Sequence, residues 1–345
     1  MEKAKVLLIY TGGTIGMIED PETGALKAFD FNELESHLPE LARIDVDLTS
    51  VTMAPPIDSS DMNPTVWKEL ATMIYNQYES YDGFVVLHGS DTMAYTASAL
   101  SFMLQGIQKP IILTGSQLPI GKIRTDGKEN LITAIEIAST RDKENRAIIQ
   151  EVAIYFEYRL YRGNRTTKVS AHAFEAFQSP NYPKLAKAGV SITYDNLALF
   201  RPQTENVRLY TEMEERIALI KIFPGFSPAV YKDVFDVNTV KGIVLETFGA
   251  GNAPNNPAFH SLLRAYIASG GVVVNITQCF SGAVDQGKYA NSTMFNEIGV
   301  VSGKSMTTEA AITKTMHLLG IGTDSLSFQE ALHADYAGEM DGDLY

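Results

Sequence analysis

The amino-acid sequence predicts an α/β protein of two domains, the larger one N-terminal. Three observations carry that reading. Short β-rich runs alternate with longer segments of helical period, the pattern of a parallel sheet covered by helices. The alternation weakens once and then restarts. The chain's 345 residues also exceed the roughly 250 to 300 at which a single hydrophobic core stops growing.

In chain order, Lys5 to Tyr10 is the first strand, followed by Val46 to Met53, Gly83 to Leu87, Pro110 to Leu113 and Val152 to Tyr158. Between them, Asn63-Pro64 has the form of an N-cap with proline at the first helical position. It opens a stripe of Val66, Trp67, Leu70, Ala71, Ile74 and Tyr78. Thr92 to Leu104 and Glu129 to Ser139 read as further helices. A polar, proline-bearing stretch places the linker at 195–214, between a catalytic domain at 1–194 and a second α/β domain at 215–345. In the second domain Arg216 to Phe223, Gly242 to Thr247 and Val272 to Thr277 read as strands. Pro228 to Phe235, Ala258 to Ala268 and Thr308 to Leu318 read as helices.

Composition narrows the function classes. With 45% hydrophobic and 20% charged residues the chain can bury a large core. Its net charge of -13 argues against nucleic acid or an anionic membrane as partner. The single cysteine, Cys279, excludes an intramolecular disulfide and reads as a buried small apolar residue. The first apolar run is too short for a signal peptide, and no run approaches the roughly 20 residues of a membrane helix, so a cytoplasmic location is expected. His37, His88, His172, His260, His317 and His333 show no metal-ligand spacing, so a structural metal is not expected.

Polar residues gather where the strands end. The five runs of the first half lead into Thr11-Gly-Gly-Thr14, Asp58-Ser-Ser-Asp61, His88-Gly-Ser-Asp-Thr92, Thr114-Gly-Ser-Gln117 and Tyr161-Arg-Gly-Asn-Arg-Thr-Thr-Lys168. In an open parallel sheet ligands bind outside the carboxyl ends of the strands, so these loops are expected to form one site. Gly12 and Gly13 can present N–H groups to an oxyanion, or simply make a turn. Thr14 fits a nucleophile and equally a helix N-cap. Ser90, Asp91 and Lys168 offer a hydroxyl, a carboxylate and an amine, although Asp91 also fits an N-cap and Lys168 a solvated surface residue. Ser227 in Gly225-Phe-Ser-Pro-Ala229 departs from a nucleophile elbow at its last position and fits an N-cap better.

Tyr10-Thr-Gly-Gly-Thr-Ile-Gly16, His88-Gly-Ser-Asp-Thr-Met-Ala-Tyr95 and Arg162-Gly-Asn-Arg-Thr-Thr-Lys168 resemble the bacterial type I, cytoplasmic L-asparaginases. Asp58-Ser-Ser-Asp-Met62, Thr114-Gly-Ser-Gln117, Phe248-Gly-Ala-Gly-Asn-Ala-Pro254 and Thr277-Gln-Cys-Phe-Ser-Gly282 extend the resemblance over nearly the whole chain. It implies an N-terminal domain with a left-handed crossover, against the usual hand, and hydrolysis of L-asparagine to L-aspartate and ammonia without metal or cofactor. Carried over, Thr14 is the nucleophile that forms an acyl-enzyme, and Ser90, Asp91 and Lys168 form the second catalytic group. Asp58, Ser59, Ser60 and Ser116 take the substrate-binding positions, with oxyanion donors among the N–H groups near Ser90 and Ser116. The resemblance also implies homodimers, often paired into tetramers, with Asn252 reaching a neighbouring site.

Three positions depart from the family. Ser90 replaces threonine, Ala25 stands where the family has a loop tyrosine, and Glu246 stands where an arginine serves allosteric asparagine binding. A carboxylate there would repel the substrate's own, so that form of allostery is expected to be absent. Two other readings are a glutaminase-type amidohydrolase or amidotransferase subunit, and a non-catalytic amino-acid-binding protein. The first, as an amidotransferase subunit, is expected to carry a further domain before Thr14; the second would have no use for a nucleophile.

Overall fold

The structure, a computed structural model, describes residues 3–19, 26–28, 38–204, 206–287 and 290–341. Its contacts divide the chain into two units, Met1–Leu209 and Tyr210–Tyr345.

In the first unit the sheet has eight strands: β1 Ala4–Gly12, β2 Val46–Ile57, β3 Gly83–Leu87, β4 Ile111–Thr114, β5 Val152–Phe156, β6 Arg159–Arg162, β7 Ala186–Lys187 and β8 Thr193–Tyr194. Their order is β8-β7-β6-β5-β4-β3-β1-β2. The first five strands in sequence are mutually parallel, and β6, β7 and β8 add on antiparallel. β3, β4 and β5 are buried at every position, as expected of parallel strands covered on both faces.

The helices are α1 Pro64–Gln77, α2 Met93–Met103 and α3 Gly127–Ser139. Asn63 caps α1 as expected, its Oδ1 accepting from the N–H groups of Thr65 and Val66, and Trp67, Leu70, Ala71 and Ile74 face inward. α2 is buried at every residue but Tyr95. Its buried hydroxyls at Ser98 and Ser101 donate back to the carbonyls of Ala94 and Ala97, both at 2.8 Å, so no donor is stranded there.

One expectation is corrected here. The fifth run does not continue as a strand to Tyr158, because Glu157 and Tyr158 adopt φ of 46° and 64° and turn the chain into β6. Two consecutive left-handed residues match a tight hairpin, but neither is the Asn or Gly that would signal it.

Residues 195–214 carry structure of their own. Ala198 O accepts from Arg162 and Tyr182, and Arg208–Leu209 pairs antiparallel with Leu104–Gln105.

The second unit has a parallel sheet of β9 Ile217–Lys221, β10 Gly242–Thr247, β11 Val272–Thr277 and β12 Val301–Ser302, in that order. With it go α4 Pro257–Ala268, α5 Ala290–Ile298, α6 Thr308–Gly320 and α7 Phe328–His333. Pro228–Phe235 is a 3-10 helix rather than an α-helix, and Ser227 makes no side-chain cap. Only Phe235 of that segment is buried, which leaves little packing to hold a full α-helical turn.

A sealed ion pair ties the last described residues to α6. Lys314 and Glu339 have no exposed side-chain surface. Lys314 Nζ donates to the carboxylate of Glu339 and to the carbonyls of Leu332 and Ala334, both at 2.7 Å. Glu339 also accepts from the N–H of Ala337 at 2.9 Å. Burial holds Lys314 below the usual amine range. Burial opposes ionisation of Glu339 too, but the Lys314 ammonium outweighs it and keeps that carboxyl below its usual range. Among the described residues no helix is long and apolar enough to cross a membrane.

Candidate active site

The loops that leave β1, β2, β3 and β4 interlock through glycine. Gly12 (φ 134°) and Gly13 (φ 88°) lie in the region that favours glycine. A Cβ on Gly12 would fall 1.9 Å from the carbonyl oxygen of Ile57, and one on Gly13 would fall 2.5 Å from the Cα of Gly89. One on Gly89 would meet Ser59 Oγ at 2.5 Å, and one on Gly115 the carbonyl oxygen of His88 at 2.3 Å. The expected gathering of loops is therefore a contact of backbone on backbone.

Thr14 follows directly. It opens a 3-10 turn over Thr14–Gly16 and is not its cap, which is Gly13. Tyr10 lies against this turn, its hydroxyl donating to Gly16 O at 3.2 Å, and burial pushes that phenol up to about 12. Half-buried Thr14 has no side-chain hydrogen bond among the described residues, which leaves its hydroxyl free for a ligand.

Lys168 reaches the same rim by an indirect route. It does not lie in the loop that leaves β5: the chain turns back, runs β6 to Arg162 opposite Ala153, and returns past α2, where the Cβ position of Gly163 falls 2.8 Å from that of Ala97. Lys168 Nζ then donates to Asp91 Oδ1 at 2.7 Å and to Ser90 Oγ at 2.8 Å. Its side chain is 16% exposed and that of Asp91 69%. Asp91 is thus no helix cap and Lys168 no solvated lysine. Ser90 donates onward to Gln117 Oε1 at 3.3 Å, and Gln117 Nε2 donates to Ala173 O.

Of the positions expected to hold substrate, Asp58 is exposed and accepts, through Oδ1, from the N–H and hydroxyl of Ser60. These bonds hold its carboxyl below the usual range. Ser59 is buried against Gly89, and its carbonyl accepts from Thr92 at 2.7 Å. Ser116 is buried with its hydroxyl given to Leu118 O at 2.6 Å. The N–H groups of Gln117 and Leu118 both go to Asp126, which removes those two as oxyanion donors; the Ser90 N–H stays among the candidates. Ala25 lies outside the described residues.

Sequence reading passed over three residues of this site. Gln117 and Asp126 hold the loop after β4, and His88 is fully buried beneath the Ser90 loop. A histidine directly after a wholly apolar strand is the available signal.

In the second unit, Glu246 Oε1 accepts from the Thr308 hydroxyl at 2.7 Å and Oε2 pairs with Lys221 at 3.3 Å. Cys279 is exposed rather than buried, because it follows the end of β11 in a loop where its N–H donates to Thr277 Oγ1. Among the described residues no group of three or more His, Cys, Asp or Glu is placed to hold a metal ion.

Comparison with known proteins gives a consistent result. Residues 5–199 match the family model described as Asparaginase, N-terminal, and residues 216–332 that of the Glutaminase/Asparaginase C-terminal domain. L-asparaginase 1 of Escherichia coli (strain K12) is 41% identical over 348 residues, covering 99% of this chain and 100% of that protein. Among solved structures, L-asparaginase I of Vibrio cholerae superposes with a TM-score of 0.90 at 37% identity, covering 99% of this chain and 100% of that one. The thermostable L-asparaginase of Thermococcus kodakarensis does so at 0.89 and 30%, covering 98% and 100%.

Proposed function

This chain belongs to the asparaginase family, and on that premise we propose that it hydrolyses L-asparagine to L-aspartate and ammonia through an acyl-enzyme on Thr14. The observation that carries the proposal is Lys168 Nζ held between the Ser90 hydroxyl and the Asp91 carboxylate, which lie on the loop whose Gly89 backbone touches Gly13.

The chemistry runs in two halves. Thr14 Oγ1 attacks the side-chain amide carbon, and its proton passes to Ser90 Oγ as Ser90 gives its own to the Lys168 amine, which enters this step neutral. The tetrahedral oxyanion is held by backbone N–H, that of Ser90 foremost. Collapse breaks the C–N bond, and ammonia leaves with the proton returned to its nitrogen, giving an ester on Thr14. Water then attacks the ester, and aspartate is released as Thr14 regains its proton. Splitting the reaction divides one high barrier between a poor electrophile and a poor leaving group into two lower ones. Asp91, paired among the described residues with Lys168 and largely exposed, takes the α-ammonium of the substrate. Asp58 and Ser59 hold the α-carboxylate and α-amino groups beside it, and Ser60 and Ser116 complete the substrate-binding positions.

The proposal places the enzyme in the cytoplasm as a homodimer or homotetramer. The test is steady-state ammonia release from L-asparagine and L-glutamine by wild type, Thr14→Ala and Ser90→Ala. Release from L-asparagine that falls by about 10³-fold or more in Thr14→Ala supports the nucleophile. Full activity in that variant sinks it.

A further inference from the structure

His88 directly follows β3 and precedes Ser90 and Asp91 in the loop; nothing in the reaction above uses it. Its ring is held at both nitrogens. Nδ1 lies 2.6 Å from the carbonyl oxygen of Gly89, and Nε2 lies 2.8 Å from Thr96 Oγ1 on α2. Trp67 Nε1, on α1, donates to that same Oγ1 at 2.9 Å.

The chemistry of the partners fixes the protons. A carbonyl oxygen only accepts, so Nδ1 carries the hydrogen. In the neutral ring Nε2 then accepts, and Thr96, which accepts from the indole N–H of Trp67, turns its own proton toward it. In the neutral ring the chain from Trp67 through Thr96 and His88 to Gly89 runs in one direction. Burial favours that neutral ring, pushing His88 down to about 4.

The carbonyl at the end of this chain shares a peptide unit with the Ser90 N–H. That unit is planar and trans, so holding the oxygen on one side aims the N–H to the other. Among the described residues the Ser90 N–H has no acceptor, whereas those of Gln117 and Leu118 are taken by Asp126.

We propose that His88 is a positioning residue: by donating from Nδ1 to Gly89 O it fixes the plane of the Gly89–Ser90 peptide and aims the Ser90 N–H at the oxyanion. This rests on the reading of Thr14, Ser90, Asp91 and Lys168 given above. The support runs through two helices, so α1 and α2 determine the direction of a donor neither of them touches.

Two isosteric variants separate this role from mere filling of space. His88→Asn keeps a donor near the position of Nδ1, whereas His88→Gln places its amide toward Thr96 and loses the bond to Gly89. In ammonia-release assays His88→Asn is expected to keep kcat within about fivefold of wild type. His88→Gln is expected to lose about 10²-fold in kcat, as for a misaimed oxyanion donor. KM should move less than about threefold, because the bond acts on the transition state. Equal kcat in the two variants, or a loss confined to KM, overturns the proposal.

A second readout needs neither turnover nor a variant. Histidine ¹⁵N NMR of the wild-type protein should show the neutral Nδ1–H tautomer at His88 from about pH 5 to 8. The opposite tautomer, or titration within that range, overturns the assignment even if the protein folds and works. A wild type that releases no ammonia from L-asparagine, yet shows the expected tautomer, points to failure of the functional reading and not of the His88 geometry.

Discussion

Each unit holds a lysine in an ion pair, and the two pairs differ in almost every respect that matters. In the second unit Lys314 and Glu339 are sealed, and the ammonium has three acceptors, Glu339 and the carbonyls of Leu332 and Ala334. In the first unit Lys168 reaches Ser90 and an Asp91 that stands largely in solvent. A pair that exists to hold a chain segment gains from having every polar atom satisfied. A pair that must exchange protons and accept a new charged group cannot be closed in that way, because the substrate has to replace some of its contacts. On the proposed function, burial thus separates the lysine that holds structure from the one that does chemistry.

The contrast is open to attack in descending order of effect. Lys168→Met should lower kcat/KM for L-asparagine by about 10² to 10⁴, the range expected on loss of a proton-transfer group, with the unfolding midpoint close to wild type. A stability loss as large as the activity loss would erase the distinction. Lys314→Met leaves Glu339 buried without its cation and should cost about 3 to 5 kcal/mol of stability by denaturant unfolding. The fraction still folded should turn over at the wild-type rate. Replacing both partners, as Lys314→Met with Glu339→Leu, should recover most of that loss, since well-packed apolar pairs commonly match buried ionic ones.

Protonation probes both units at once. His88 and His317 are each pushed down to about 4 by burial from an ordinary 6.5. Between those values the unfolded chain binds more protons, so stability rises with pH and is lost as pH falls from about 6.5 to 4. The loss approaches about 3 kcal/mol per ring. Glu339, held below its ordinary range, adds to it only below about pH 4.5. Denaturant titrations from pH 7 down to 4 test this, and a flat profile would show that neither ring is kept neutral. The smallest effect belongs to Glu246, whose carboxylate is already engaged by Thr308 and Lys221. The dependence of rate on L-asparagine should be hyperbolic, and Glu246→Ala should leave its shape unchanged. A sigmoidal curve that this variant straightens contradicts the expectation.

Much of this was legible in the chain before any coordinates. The parallel strands, the Asn63-Pro64 cap and the polar loops follow from period and turn chemistry, which are local signals. What escaped depended on distance along the chain. Lys168 meets Asp91 across 77 positions, by way of a hairpin whose Glu157 and Tyr158 carry no turn signature. His88 looked like one of six scattered histidines until Trp67 and Thr96 were brought against it. The usual preference of cysteine puts Cys279 in the interior, but a loop beyond a strand end keeps it outside.

The backbone contact of Gly13 with Gly89, and of Gly12 with Ile57, sets a limit on how this enzyme can be redesigned. A randomised library over the site loops will return almost nothing but glycine at 12, 13 and 89, because even a methyl group there has nowhere to go. Selectivity between amides must then be tuned at the flanking side chains, Ser60 and Asp58 among them, while the loops that present them behave as one casting.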